Sequence, residues 1–166
     1  MTLWDVEIAP LETAFTECPS SELRTLGLAV IDETLALYGQ PLEELFDAAT
    51  VSLVAVACEE FRTFPIPTEE VSARWDLLFE QACSWQDDIR PLTKASLMQA
   101  VAEYSVFLIH QDVQQLLETL SCCYESVLSF ASIARLITVD MERNNTFCHN
   151  AIALQKRLIE ELCGVS

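Results

Sequence analysis

Apolar residues recur at helical spacing along most of this chain, and the prolines fall between the apolar runs rather than within them. The spacing predicts a long helix over 20–38 that buries Leu23, Leu26, Val30 and Leu37, capped by Ser20 or Ser21 and stopped by Gly39. A second is expected from Pro41, with Leu42, Leu45, Phe46 and Ala49 on one face and Glu43, Glu44 and Asp47 on the other. Its continuation, VSLVAVAC, is apolar almost all round and reads as an enclosed segment. Its flanks favour helix, although a buried strand fits the same run. Pro65 and Pro67 then interrupt the chain, and Thr68 is placed to cap a third helix over 69–85. There Val71, Trp75, Leu78, Phe79, Ala82 and Trp85 share one arc. Glu69, Asp76 and Glu80 lie roughly 140–180° from Val71, at about 100° per residue, and Asp87 continues their line. Further helices are expected over 93–109, 112–137 and 140–163, the last capped by Asp140, with His110 at the polar end of the first of these. Residues 1–19 read as an arm holding one short helix. The predicted architecture is all-α: one domain over residues 1–166, an antiparallel bundle of about six helices.

Composition supports helices. Three glycines in 166 residues are too few for the hairpins and bulges of a sheet protein, and they leave no glycine-rich phosphate loop. The first ten residues, MTLWDVEIAP, carry no basic segment followed by an apolar run, so no signal peptide is expected, and no run is long enough to predict a membrane span. Seven cysteines, an odd number without a C-x-x-C pair, suit a reducing cytoplasm and small core positions, Cys122 and Cys123 among them. Cys148 beside His149 is the nearest approach to a ligand pair, and neither a metal nor a cofactor is expected.

Charge changes the picture more. The formal net charge is −17, and residues 1–88 hold 18 acids against 3 bases while residues 89–166 hold 8 against 6. Such a field repels nucleic acid and anionic membranes and attracts basic proteins. Glu69, Asp76, Glu80 and Asp87 form the leading acidic stripe, with Glu43, Glu44 and Asp47 as a second patch. With only two lysines in the whole chain, this face has little to neutralise it; a plain solvated surface is the alternative. In size, acidity and lack of catalytic motifs the chain resembles the cognate immunity proteins of contact-dependent and other polymorphic toxin systems. That resemblance implies a non-catalytic cytoplasmic protein that blocks a basic toxin domain, a nuclease above all. Secretion chaperones share the acidity and length, but their mixed sheet-and-helix dimer does not fit this pattern.

One stretch, MERNNTFCHNA, points elsewhere. Arg143, Asn144 and His149 match the Arg-x(4–6)-His spacing, with a polar residue after the arginine, and resemble the signature of HEPN ribonucleases. The resemblance covers those seven positions. It implies a metal-independent ribonuclease in which histidine moves a proton and arginine steadies the phosphate. In one straight helix, positions six apart diverge by about 120°, so the motif requires a bend at Asn144–Asn145 or a second subunit.

Overall fold

The structure is a computed structural model that describes residues 1–63, 68–82, 90–131 and 137–164. Among the described residues all regular structure is helical, and there is no strand. In chain order they form α1 (Leu3–Glu7), a 3-10 turn (Ala9–Leu11), α2 (Glu12–Glu17), α3 (Ser20–Leu37), α4 (Leu42–Leu45), α5 (Ala48–Thr63), α6 (Glu69–Ala82), α7 (Pro91–His110), α8 (Val113–Ala131), α9 (Val139–Arg143) and α10 (Thr146–Cys163).

The centre is the α7–α8 pair. Proline at the first position of α7 costs no intrahelical hydrogen bond. The helix ends at Gln111, which takes a left-handed conformation (φ 55°) and donates from its side-chain amide to the Phe107 and Leu108 carbonyls. Two residues later α8 begins and packs along α7, with α3 and α10 lying on α8 and α6 on α7. Leu97, Val101, Phe107, Leu116, Leu120 and Val127 are completely enclosed in this seam. Gly27 of α3 fits here for reasons of space. A methyl group at that position would lie 2.5 Å from the Tyr104 ring and 3.0 Å from Leu116. The ring is held by its hydroxyl, which donates to the Arg24 carbonyl at 2.7 Å, and so has little room to retreat.

Several expectations need correction. The arm over 1–19 is core: Leu3, Trp4, Ile8 and Phe15 are buried, because two short helices and a 3-10 turn present them inward. The helix from Pro41 breaks at Phe46, and Asp47 restarts it by accepting hydrogen bonds from the Thr50 N–H and hydroxyl. Ala49 is therefore exposed. VSLVAVAC is helical but not enclosed, since α5 turns Val56 to solvent at 47% exposure. Pro19 rather than Ser20 or Ser21 precedes the first turn of α3, and Thr138 rather than Asp140 caps α9. The helix expected over 140–163 is two helices, because Asn145 takes an extended conformation and its side chain accepts from the Phe147 and Cys148 N–H groups. Trp85, Pro65 and Pro67 lie outside the described residues.

The cysteines also divide differently. Cys58, Cys122, Cys123 and Cys148 are free and buried, as expected of core fillers. Cys18 and Cys163 instead form a disulfide with a Cα–Cα distance of 5.1 Å, tying the end of α2 to the end of α10. No helix among the described residues is long and apolar enough to cross a membrane.

Candidate functional site

Two features draw together residues singled out from sequence. The first is a groove between α6 and α7 of about 360 Å3, lined by Asp76, Phe79 and Glu80 on one side and Met98, Gln99, Ala102, Glu103 and Val106 on the other. Trp75 and Phe79 anchor α6 beneath it, both buried and stacked at 5.8 Å between ring centroids. Asp76 and Glu80 border the helix next door, whereas the helical projection set them opposite the apolar arc. α6 packs on α5 as well as α7, and a wheel with a single buried side does not capture two neighbours.

The groove is anionic. Among the described residues neither Asp76, Glu80 nor Glu103 has an ion-pair partner; Glu103 accepts a hydrogen bond from Gln99. The Asp76 carboxyl is pushed above the ordinary aspartate range, first by burial and then by repulsion from Glu80. A cation placed between them would relieve that repulsion. Glu103 went unread because it lies in the half of the chain whose charges nearly balance.

Other members of the acidic set are placed differently. Glu69 is exposed at the start of α6, near the positive end of that helix. Glu43 and Glu44 are exposed on α4. Asp47 is committed to structure. Its bonds to the Thr50 hydroxyl and N–H, with Lys94 at 3.5 Å, hold its carboxyl at about 2 despite the opposing effect of burial. Asp87 lies outside the described residues.

The second feature contains the Arg-x(4–6)-His positions. The break at Asn145 supplies the required bend, and Arg143 of α9 and His149 of α10 line one cleft of about 320 Å3 together with Leu3, Glu7, Ile152, Ala153 and Lys156. Arg143 reaches Glu7 and Asp140, each at 3.5 Å, and Lys156 reaches Glu7 at 2.5 Å. Glu7 is held below the ordinary glutamate range, first by its hydrogen bond from Lys156 and then by Lys156's charge and by Arg143, against an opposing effect of burial. Asn144 is not part of the cleft lining: its amide donates to the Asp140 carbonyl at 2.8 Å and closes α9. The Cys148 thiol is buried while His149 is exposed, so this adjacent pair does not converge. Among the described residues no group of three His, Cys, Asp or Glu side chains could hold a metal ion.

The described residues are all-helical in their regular structure and carry an anionic groove and a small cleft of mixed charge. No family model, no curated protein and no solved structure matches the chain.

Proposed function

We propose that this protein is a non-catalytic immunity-type protein: a single-domain antiparallel helical bundle that acts in the cytoplasm by binding and neutralising a basic toxin domain, a nuclease above all. The observation that carries this reading is the α6–α7 groove. It sets three carboxylates around an apolar floor of Phe79, Met98, Ala102 and Val106. That arrangement suits an arginine or lysine, whose methylene stem packs on apolar surface while its charged head meets carboxylates. A nuclease domain must be basic to hold its substrate, so an inhibitor with an anionic groove competes for the same residues. Glu69 on α6, with Glu43 and Glu44 on α4, adds attraction over a longer range.

The product of the neighbouring reading frame is the natural test partner. The double variant Asp76→Lys/Glu80→Lys should weaken its binding by about 100-fold and reverse the salt dependence, while circular dichroism stays unchanged. Wild-type affinity should also fall as pH drops through the carboxylate range, because burial and Glu80 make Asp76 give up its charge sooner than an ordinary aspartate does. Equal titration calorimetry curves for variant and wild type would remove the groove from the function.

One observation favours a second reading, a metal-independent ribonuclease: Arg143 and His149 share a cleft without a second subunit. In that case the purified chain cleaves RNA in chelator, and His149→Ala abolishes cleavage at unchanged helicity. A clean preparation without activity would reject it.

A further inference from the structure

We infer that the cleft between α1, α9 and α10 binds the phosphoryl group of a small solute, with Glu7 as a built-in counter-anion. Arg143 meets one oxygen of the Glu7 carboxylate and Lys156 meets the other, so two cations from different helices are already spaced around an oxyanion. Both keep an open side, at 50% and 45% exposure, while Glu7 beneath them is 28% exposed. His149 and Lys156 are two turns apart on one face of α10, with Ile152 and Ala153 between them. The His149 imidazole has no hydrogen-bond or ion-pair partner among the described residues. Three nitrogen-bearing side chains therefore converge on one cleft whose remaining wall is apolar, formed by Leu3, Ile152 and Ala153.

Magnitudes select the kind of ligand. Among the side chains that line the cleft two cations face one carboxylate, while the Glu142 carboxylate behind Leu3 is already held by the Leu3 N–H and the Tyr124 hydroxyl. Asp140, the other partner of Arg143, is 88% exposed, and a solvated pair of that kind contributes little. The chain's net charge of −17 repels an extended polyanion, but screening over about 8 Å limits how strongly distant carboxylates act on a small anion inside the cleft. At about 320 Å3 the space is at the low end for organic ligands. A phosphomonoester of a small organic group fits these conditions better than a nucleic-acid strand does. The inference is separate from the acidic groove and requires no RNA cleavage.

The test uses the full chain with three probes: inorganic phosphate, ribose 5-phosphate and a short RNA oligonucleotide. Amide spectra should show saturable shifts confined to α1, α9 and α10 with both small phosphates, and the RNA should bind no more tightly. Arg143→Gln and Lys156→Gln should each weaken binding about tenfold or more, the loss expected for one charge-assisted hydrogen bond. Should Arg143→Gln disturb α9, Lys156→Gln alone carries the comparison. Glu7→Gln removes the internal competitor and should tighten binding, an effect that a purely structural ion pair would not produce. The inference is overturned if neither small phosphate saturates, if Lys156→Gln leaves binding unchanged, or if Glu7→Gln weakens it. RNA binding tighter than both small phosphates would overturn the small-solute assignment and return the cleft to the ribonuclease reading.

Discussion

Replacing Glu142 with alanine should cost about 3–5 kcal/mol, the loss expected for two hydrogen bonds to one buried charged acceptor. Glu142 is 1% exposed, and a single carboxylate oxygen accepts from the Leu3 N–H and from the Tyr124 hydroxyl, each at 2.6 Å. Those bonds join α9 to α1 on one side and to α8 on the other. Alanine leaves the Leu3 N–H and the Tyr124 hydroxyl facing an apolar interior without the acceptor. Burial first, and then the bond to Glu142, push the Tyr124 hydroxyl well above the usual tyrosine range, so it remains a donor across ordinary pH. Glu142→Gln keeps an oxygen but loses the charge, and should cost roughly half as much. Urea midpoints at constant slope measure both. Amide exchange should show the extra opening concentrated in α1. A loss below about 1 kcal/mol for the alanine variant would mean that water takes over the two donors, and the junction would not be a keystone of the fold.

Reduction of Cys18–Cys163 should lower stability by about 3–5 kcal/mol, since the bond closes a loop of 145 residues and constrains the unfolded chain accordingly. For a domain of this size that corresponds to a fall in melting temperature of about 10 °C. Cys163→Ser should reproduce the fall and make the protein insensitive to reductant. The four free cysteines of the described residues should not interfere. Burial pushes the thiols of Cys58 and Cys122 up to about 12 and raises Cys123 and Cys148 as well, so little thiolate is present to exchange. Identical melting curves with and without reductant would show that the bond contributes nothing. Where the surroundings are reducing, the pair stays a dithiol and the core alone holds the arm.

How much of this could be read from sequence depends on whether the information was local. Long helices with their own apolar period were legible: Leu23, Leu26 and Val30 are buried as expected on α3, as are Trp75 and Phe79 on α6. Boundaries set by polar side chains were harder. Asp47 and Asn145 restart helices through bonds to their own side-chain oxygens, and neither position interrupts the hydrophobic pattern. The Cys18–Cys163 bond and the Glu7–Arg143–Lys156 cluster were illegible for a stronger reason. They join opposite ends of the chain, and spacing carries no information about such pairs. The bend in the Arg143–His149 motif was legible as a requirement, and its cause, the Asn145 cap, was present in the quoted stretch. Glu103 entered the acidic groove from a helix whose charge gave no signal, because the groove is a property of two helices together.

Gly27 also fixes the lengthwise position of α3. The Tyr104 ring occupies a notch in that helix where a single hydrogen atom stands in place of a side chain. Sliding α3 by one turn in either direction would bring Leu23 or Ile31 against the same ring, and neither has room there. The notch therefore sets the register of α3 against the α7–α8 pair, much as a keyway indexes a shaft. With α3 indexed in this way, the disulfide at one end of α10 and the Asn145 break at the other meet the rest of the fold at fixed positions.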